Sequence, residues 1–551
     1  MRATTTLTAI LDTWLTSHGW TWPEKAVVEP PRDSRFGDMA TNLALVLSGQ
    51  AKTKPRELAE TMRRELADSS EHIASIEVAG PGFCNFTFTH SFWQQTVPAI
   101  HEAGERYGSS TLGQGTRIQI EFVSANPTGP LHFGHGRGAA VGDSLTRILR
   151  FTGHEVGTEF YLNDAGRQMS LLGLSVWLRY QELCGMVVPL PDDFYRGDYI
   201  VDIAGELHDE FACSLLQQSP EVAVELCRNY AMTTILGDIR SDLETFRVEH
   251  QEWFSEKSLL DSGAVEGTFE LLSSKGLAYS QDGALWFKST RFGDDKDRVL
   301  RKSNGELTYF ASDIAYHATK FERGFDRLVD VWGADHHGYV PRMKAAVQAL
   351  GHAPEDLEVV LVQLVNLLRG GEQLTMSKRA GNFETLADVC TEVGVDATRF
   401  IFLSRKSDSP LDFDLEVARQ QSMDNPVYYV QYAHARICSV KRKAGEQGLS
   451  ADPDDFSVLD RLATAEDLTL LKTLDRFPDV LASCSRTMSP HHLSYYLQEL
   501  AGELHRYYNI HPVLTAPDPE TVQARLHLLD GVAQVVRNGL QLLGVSAPET
   551  M

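Results

Sequence analysis

The sequence predicts an α/β protein with a central parallel sheet, preceded by a small α+β unit and followed by an all-helical region. The central part shows short apolar segments separated by glycine-rich turns and helical patterns, which is typical of a parallel sheet. The last part repeats leucine and valine at helical spacing. We place the domains at 1–112, 113–424 and 425–551, with a helical insertion at about 170–300.

The first domain combines a helix with two strands. FGDMATNLALVLS (36–48) leads into a helix, and IASIEVAGPGFCNFTF (73–88) predicts two strands around a Gly-Pro-Gly turn. The N-terminal stretch has the spacing of an amphipathic helix and lacks a signal-peptide cleavage pattern.

Four segments predict the strands of the central sheet, and each is short and rich in β-branched or aromatic residues. They are RIQIEFV (117–123), GTEFYL (157–162), FDRLVDVWG (325–333) and LEVVLVQLV (357–365). The stretch between the second and third segments is more helical and interrupts the alternation of strands and helices, so we interpret it as an insertion.

The C-terminal domain is predicted from two apolar stripes at helical spacing. The first stripe contains Leu493, Leu497, Leu500 and Leu504, with Tyr496 and Tyr507 beside them; the second contains Leu526, Leu529, Val532, Val536, Leu540 and Leu543. GLSADPDDFS (448–457) predicts a loop between helices.

Composition narrows the class of protein. The chain has 551 residues and a net charge of −24 (51 basic, 75 acidic), which argues against a protein that coats nucleic acid but leaves room for a local basic surface. No run of about 18 apolar residues is present, so we expect no membrane span. The seven cysteines are far apart and form no CxxC motif. This predicts neither a disulfide framework nor a zinc ribbon, and it fits a reducing cytoplasm.

The segment SANPTGPLHFGHGRGAAVGDSL (124–145) sets His132 and His135 in a glycine-rich turn where a helix begins. The N-terminus of a helix attracts anions, and imidazoles there can donate hydrogen bonds to a phosphate. Gly134 and Gly136 would let a ligand approach the backbone. Two alternatives are a tight turn with satisfied histidines and a metal pair, which would need a third ligand.

Two further glycines follow within the same predicted helix. Gly138 and Gly142 are four residues apart, so they share one face. A face without side chains can pack closely against a sheet.

LTMSKRAGN (374–382) is a second candidate for phosphate binding. Lys378 is a compact cation suited to a polyphosphate, and Ser377 adds a hydroxyl donor. An isolated loop of this composition is usually a solvated basic turn, but beside the histidine loop it would form a second phosphate clamp.

These motifs resemble those of one family. HFGH is similar to the HIGH signature of class I aminoacyl-tRNA synthetases, and TMSK is similar to their KMSKS signature. In their order, EFVSANPTGPLHFGHGR, YLNDAGRQ, YFASDIAYH, DVWGADHHGYVPR and MSKRAGN resemble arginyl-tRNA synthetase. FGDMATNLAL and DNPVYYVQYAHARI extend the resemblance to that family's N-terminal and anticodon-binding domains.

The resemblance implies a Rossmann-like catalytic domain and a helical anticodon-binding domain. It implies that arginine is joined to ATP, with release of pyrophosphate, and then passes to the 2′-hydroxyl of the terminal adenosine of tRNA(Arg). ATP and its Mg²⁺ enter as substrate, and no tightly bound metal, membrane or partner subunit is expected. Members of the family typically need bound tRNA before they activate arginine.

The resemblance also assigns site residues. His132, His135 and Lys378 are the expected catalytic residues. ATP binding is assigned to the same three with Gly134, Met376 and Ser377. Arginine binding is assigned to Glu121, Ser124, Asn126, His135, Tyr309, Asp313 and His336. His336 stands where some relatives have glutamine, and a carboxylate such as Asp313 matches the guanidinium fork.

Two residues depart from the family pattern. Thr375 replaces the first lysine of KMSKS, so either Arg379 substitutes for that cation or Lys378 acts alone. Phe133 replaces an aliphatic residue between the histidines, which we expect to be tolerated as packing.

Basic residues beside aromatic ones predict the tRNA surface, because arginine and aromatic rings stack on unpaired bases. The candidates are Arg436, Lys441, Arg442 and Arg506, the last adjacent to Tyr507 and Tyr508. A solvated charged helix face is an equally weighted alternative. By resemblance, RDSRFGDMATN (32–42) would meet the tRNA elbow.

Two other functions compete with this hypothesis. ADHHG (334–338) superficially matches a metal motif, so a metal-dependent phosphoesterase is one alternative. A synthetase-like tRNA-binding protein without catalysis is the other. The first leaves MSKRAGN unexplained, and the second leaves the retained histidines and Lys378 without a role.

Overall fold

The computed structural model describes residues 2–31, 33–67, 70–374, 384–453 and 455–551. The N-terminal region is a four-stranded antiparallel sheet, in the order β1-β2-β4-β3, covered by helices. Its elements are α1 (Arg2–Ser17), β1 (Val28–Glu29), β2 (Met39–Thr41), α2 (Leu43–Ala51), α3 (Pro55–Leu66), β3 (Ile73–Ala79), β4 (Phe83–Phe88), α4 (His90–Gln94) and α5 (Thr96–Ala103). The helix and the strand pair predicted from the sequence are both present.

A five-stranded parallel sheet forms the centre of the molecule, in the order β12-β11-β5-β6-β7. Its strands are β5 (Arg117–Glu121), β6 (Glu155–Leu162), β7 (Glu252–Ser255), β11 (Arg327–Gly333) and β12 (Leu357–Val362), and α6 (Phe133–Phe151) joins the first two. Each of the four predicted segments contributes a strand to this sheet, although the last one, 357–365, does so only as far as Val362. The chain moves outward from β5 in both directions, so a crevice opens at the carboxyl ends of β5 and β11.

The predicted insertion begins with helices and ends with strands. Its elements are α7 (Arg167–Leu183), α8 (Asp198–Phe211), α9 (Pro220–Thr245), α10 (Glu256–Asp261), α11 (Ala264–Ser274), β8 (Ala278–Gln281), β9 (Ala284–Phe287) and β10 (Arg298–Arg301). The strands β8 to β10 form a separate antiparallel sheet, whereas β7 joins the central one. The sequence analysis missed these strands because four residues carry too little periodicity.

One disulfide is present in the described part of the chain, between Cys184 after α7 and Cys213 after α8. The cysteine spacing did not predict it, because the two residues meet only when the C-terminal ends of α7 and α8 lie side by side. The other cysteines of the described residues are free.

The rest of the central region surrounds a third, small sheet in the order β14-β13-β15. Its elements are α12 (Tyr309–Glu322), α13 (Val340–Leu350), β13 (Val365–Arg369), β14 (Glu372–Gln373), α14 (Leu386–Val393), α15 (Val395–Phe402), β15 (Leu411–Asp414) and α16 (Leu415–Arg419). The last predicted strand, 357–365, is therefore divided: β12 ends at Val362, and β13 begins in the small sheet.

The C-terminal region is helical, as predicted, and both apolar stripes are buried. Its helices are α17 (Pro426–Glu446), α18 (Ala465–Asp475), α19 (Phe477–Thr487), α20 (His491–Ile510) and α21 (Pro519–Leu542). No helix among the described residues has the length and apolar character to cross a membrane.

A buried arginine joins this helical region to the central sheet. Arg399, fully buried, forms an ion pair with Asp143 of α6 and donates to the carbonyl oxygens of Leu543 at 2.9 Å and Phe246 at 2.8 Å. Arg247 donates to the carbonyl oxygen of Gly544 at 2.9 Å. The end of α21 is therefore fixed against the helix that begins with the histidine loop.

The glycines of α6 differ in what surrounds them. A Cβ on Gly142 would lie 2.2 Å from the Phe122 ring, and one on Gly136 would lie 2.6 Å from Leu386, so both glycines serve packing. A Cβ on Gly138 would have nothing within 4 Å. The expectations that Gly136 admits a ligand and that Gly138 packs on the sheet are therefore wrong.

We predict that Gly142→Ala destabilises the protein by about 1–3 kcal/mol, because the added methyl group displaces Phe122 from under the sheet. Gly138→Ala is the matched control in the same helix, and it should be neutral or stabilising by up to about 1 kcal/mol. Urea unfolding of both variants measures the difference. Equal effects would contradict the packing role of Gly142.

Candidate active site

The chain bends sharply where β5 ends, at the bottom of the crevice. Val123 and Ser124 both have positive φ, 73° and 41°, which is rare for a β-branched residue and marks local strain. The bend places Ser124 Oγ 2.9 Å from Glu121 Oε1, to which it donates, and it accepts from the Tyr161 amide at 3.2 Å. The strain therefore fixes the position of the Glu121 carboxylate.

Three buried carboxylates lie side by side across the central sheet. Asp330 of β11 is in register with Glu121 of β5, which is in register with Glu159 of β6. Their exposed fractions are 0%, 8% and 1%. Adjacent strands are about 4.8 Å apart, so these charges would repel each other strongly without a cation among them.

Helix α12 supplies that cation. Lys320, fully buried, contacts Glu121 Oε2 at 2.6 Å and Asp330 Oδ1 at 3.0 Å. On the same helix, His317 Nε2 lies 2.9 Å from Asp330 Oδ2, and Arg323 contacts Glu159 at 2.5 Å. The negative charge of the three carboxylates is thereby balanced by side chains on one face of α12.

The electrostatic balance favours the charged forms of Asp330 and Lys320. Burial acts to raise the pKa of Asp330, but Lys320 and His317 outweigh it and hold that pKa below its usual range. Burial acts to lower the pKa of Lys320, and the charges of Asp330 and Glu121 raise it above its usual range. Of the three acids in this row, only Glu121 was predicted from the sequence as a site residue. The pattern that could have indicated the others is one acid within each of three apolar strands.

Above this row, a cavity of about 980 Å³ opens at the carboxyl ends of the strands. All the residues predicted for arginine lie in its lining: Glu121, Ser124, Asn126, His135, Tyr309, Asp313 and His336. Residues that the sequence did not indicate also line it, among them Asn163, Gln168, Tyr195, Tyr199, Trp332 and Tyr339.

Asp313 lies on the cavity-facing side of α12. Thr308 caps this helix by accepting from the Ala311 amide, so Tyr309 and Asp313 stand one turn apart on the same face. Tyr339 donates its hydroxyl to the Asp313 carboxylate. Burial raises the pKa of Asp313 to about 6, the bond from Tyr339 partly offsets this, and the Glu121 charge adds to it.

Glu256 is a buried acid that does not line the cavity but lies close enough to Asp313 for their charges to interact. It was not predicted from the sequence, because β7 was not. It follows that strand directly, is 7% exposed, and has a pKa raised by burial and then by the charge of Asp313. Within the described residues, neither Asp313 nor Glu256 forms an ion pair with a lysine or arginine. The site therefore holds excess negative charge.

The histidine loop stands at the other side of the cavity. His132 is the N-cap of α6, and its ring stacks on that of His135 with centroids 3.5 Å apart. His135 lines the cavity, whereas among the described lining residues His132 and Gly134 do not occur. A Cβ on Gly134 would lie 3.0 Å from the His132 ring, so this glycine makes room for the imidazole.

The second clamp lies outside the described residues, which leave out Thr375, Met376, Ser377, Lys378 and Arg379. The structure does describe the residues that follow this clamp, from Glu384 onward. The Phe133 amide donates to the Glu384 carbonyl at 3.0 Å, and the Leu386 amide donates to the Leu131 carbonyl at 2.9 Å. The segment that follows the clamp is thus paired with the histidine loop.

The predicted tRNA residues lie on the helical region. Arg436 stacks 4.0 Å above the Tyr508 ring and lies 5.8 Å from that of Tyr432, whereas Lys441 forms an ion pair with Asp530. Arg442 and Arg506 are exposed. Tyr507 is 1% exposed and donates to Asp467 at 2.8 Å. It belongs to the core, so the expectation that it stacks on bases is wrong.

The ADHHG segment does not gather metal ligands. Asp335 and His336 have side chains 80% and 62% exposed, with 3.5 Å between their polar atoms. In the part of the chain that the structure describes, the one group of side chains arranged to hold a metal is Cys184, His208 and Cys213, in the insertion.

A doubly wound parallel sheet, with a histidine-capped helix at its crevice, defines a nucleotide-dependent catalytic domain of the class I synthetase kind. Comparison with family models agrees. The model of the class I (R) tRNA synthetase catalytic domain matches residues 96–412, the arginyl tRNA synthetase N-terminal domain matches 6–88, and the DALR anticodon binding domain matches 430–551.

Comparison with individual proteins identifies the family within this class of synthetases. The chain is 59% identical to an arginine–tRNA ligase of Nitratidesulfovibrio vulgaris (strain Miyazaki F) and 51% identical to that of Lawsonia intracellularis, with 100% of each chain covered in both cases. A solved structure of a putative arginyl-tRNA synthetase from Campylobacter jejuni is 36% identical, with a TM-score of 0.76, and covers 84% of this chain and 100% of its own. The chain belongs to the arginyl-tRNA synthetase family.

We predict that Lys320→Met costs on the order of 3–5 kcal/mol of the free energy of unfolding near neutral pH, because it leaves two buried carboxylates without their cation. The loss should shrink as the pH falls and the carboxylates take up protons. Urea unfolding at several pH values measures it.

Lys302→Met is the control for this prediction, since it breaks an exposed pair with Glu306 at 2.9 Å. Such a pair contributes at most about 1 kcal/mol. A loss no larger for Lys320→Met than for the control would show that the carboxylate row does not depend on Lys320.

Proposed function

We propose that this chain joins L-arginine to tRNA(Arg) in the cavity at the edge of its central sheet. ATP and arginine form arginyl-adenylate and pyrophosphate, and the arginyl group then passes to tRNA with release of AMP. The observation that carries the proposal is the acidic pair of Asp313, half-buried in the cavity wall, and the buried Glu256 close to it, neither of which forms an ion pair with a lysine or arginine among the described residues. Family membership agrees, and neither a phosphoesterase nor a non-catalytic binding protein has support among the relatives.

The guanidinium of arginine is the cation that this pair lacks. Asp313 accepts its N–H groups at the cavity wall, the nearby Glu256 adds negative charge, and Tyr309, 76% exposed, covers the guanidinium from the start of α12. At the other end of the substrate, Glu121 binds the α-amino group, with Ser124, Asn126, His135 and His336 around it. Lys320 contacts Glu121 at 2.6 Å and compensates its charge in the absence of substrate.

Catalysis consists mainly of positioning and charge stabilisation. The N-terminus of α6, Gly134 and the two histidines receive the phosphates, and the imidazoles stabilise the charge that develops on the α-phosphate when the arginine carboxylate attacks. Met376, Ser377 and Lys378 close on the leaving pyrophosphate. Mg²⁺ arrives with ATP and is held mainly by phosphate oxygens and water.

The helical region receives the anticodon. Tyr432, Arg436 and Tyr508 present stacked rings and a guanidinium at the edge between α17 and α20, a combination that suits unpaired bases. Lys441, Arg442 and Arg506 add positive charge around it. Residues 1–112, 113–424 and 425–551 are the three functional units. One chain contains the whole cavity, which supports a monomer, and the cytoplasm supplies its substrates.

Asp313→Asn should raise the KM for arginine steeply, by a factor that corresponds to about 3–5 kcal/mol, with little change in the KM for ATP. Steady-state exchange kinetics measure both constants. Asp335→Asn, an exposed acid at the rim, is the control. Equal losses for both substrates would assign Asp313 a structural role.

The same carboxylate predicts a pH dependence. Burial holds its pKa at about 6, above the ordinary 3.8. Arginine affinity should therefore fall below that pH by up to about tenfold per pH unit. The folding stability of the free enzyme changes with pH in the opposite direction. Because the folded pKa of Asp313 lies above its unfolded value, the stability that Asp313 contributes is present below the unfolded pKa and is lost as the pH rises through about 6. Calorimetric titration with wild type and Asp313→Asn measures both effects.

His132→Ala should lower kcat for adenylate formation by roughly 10²-fold or more, with ATP affinity nearly unchanged, because the imidazole acts on charge that exists only in the transition state. Pre-steady-state ATP consumption with a binding measurement separates the two. His337→Ala, an exposed histidine outside the loop, should be neutral. A folded, fully active His132→Ala protein would falsify the role.

ATP–pyrophosphate exchange tests the function and the altered signature together. We expect exchange to be nearly silent in nuclease-treated enzyme and to appear when tRNA(Arg) is added, because Thr375 leaves the phosphate clamp one cation short. Thr375→Lys should restore part of the tRNA-independent exchange, since one cation near a phosphate contributes about 1–2 kcal/mol. Lys378→Ala should abolish exchange in both conditions. Robust exchange without tRNA would point to Arg379 as a sufficient substitute.

A further inference from the structure

Cys184, His208 and Cys213 form a compact cluster in the insertion, separate from the residues given catalytic roles above. Their ligand atoms all lie within 4.8 Å of one another, and each residue is half-buried, so solvent can reach the cluster. Cys184 and Cys213 are joined as a disulfide with Cα atoms 5.8 Å apart. Cys213 Sγ lies 3.8 Å from His208 Nε2.

The local fold holds the cluster together. Cys184 is the C-cap of α7, and His208 lies in the last turn of α8. Between His208 and Cys213 the chain reverses at Ala212, which has a φ of 48° that a non-glycine residue adopts only under constraint. The buried Tyr180 donates its hydroxyl to the Ala212 carbonyl and so secures the reversal. The strained turn therefore directs Cys213 back towards both other residues.

We propose that these three side chains bind a thiophilic divalent cation such as Zn²⁺ when the disulfide is reduced. A dithiol reductant gives two electrons and two protons to the disulfide and itself becomes a disulfide, leaving two thiols on the protein. Metal binding then displaces both thiol protons. Two thiolates and one imidazole are ligands that zinc prefers, with water in the fourth position.

The two states exclude each other, because sulfur atoms bonded in a disulfide are no longer thiolate ligands. Both states close the same segment, which runs from Cys184 at the end of α7 to Cys213 beyond the end of α8. That segment contributes Asp193, Phe194 and Tyr195 to the cavity wall, and Asp193 is paired with Arg167 at 2.6 Å. The cation site thus lies at the outer end of two helices whose inner ends border the substrate cavity.

Cobalt binding to the full-length enzyme tests the proposal, because thiolate-bound Co²⁺ has an ultraviolet charge-transfer absorption that carboxylate-bound Co²⁺ lacks. The enzyme is reduced with dithiothreitol, desalted without oxygen and titrated with Co²⁺, which Zn²⁺ then displaces. We expect about one equivalent per reduced chain and none in the oxidised protein. Absence of the absorption in the reduced wild-type enzyme, confirmed by thiol counting, would overturn the proposal.

Variants locate the ligands. Cys184→Ser and Cys213→Ser should lose the stoichiometric absorption, and His208→Asn should weaken Co²⁺ binding by roughly tenfold or more. Cys438→Ser is the matched control: Cys438 is a free cysteine that also lies 3.8 Å from a histidine, His434, but it belongs to no metal-ligand cluster among the described residues. It should bind like wild type. Retained aminoacylation shows that each variant is folded, and an unchanged signal in Cys213→Ser would contradict the site.

Discussion

One buried ammonium group determines how charge is arranged in this site. Lys320 lies between Glu121 and Asp330 on the inner face of α12, under the crevice of the central sheet. Three neighbouring strands each bring an acid to the same buried row, and without Lys320 two of these acids would lack their cation. The two contacts of Lys320 also fix α12 against the sheet in one register.

That register also sets the substrate pocket. The packing of α12 places His317, Lys320 and the C-cap residue Arg323 on the carboxylate row. The same packing places Tyr309 and Asp313 at the cavity. The acids of the floor have cations from the protein, whereas Asp313 and Glu256 have none among the described residues. The negative charge of the described residues thus has a structural part, neutralised on folding, and a part that has no cation of its own from these residues.

The sequence predicted the elements whose pattern is local. Four strands of the parallel sheet and the long C-terminal helices have apolar periodicity that is visible in a short window, and the family motifs indicated every cavity residue assigned to arginine. The missed features depend on contacts between distant residues. Glu159, Asp330 and Lys320 form a network only once the strand register is known. Glu256 was missed with β7, and the contact of Cys184 with Cys213 spans 29 positions. Tyr507 packs with the apolar stripe, as predicted, and not on the base-stacking surface to which it was also assigned.

The buried Arg399 makes the folding of the two larger domains interdependent. Its guanidinium needs the Asp143 carboxylate from the catalytic helix and a carbonyl from residue 543, which is 144 positions away along the chain. Arg247 reaches across 297 positions to residue 544. Contacts between residues so distant along the chain raise the contact order, and a high contact order slows folding. The position of α6, and with it that of the histidine loop, therefore depends on the C-terminal helices as well as on the central sheet.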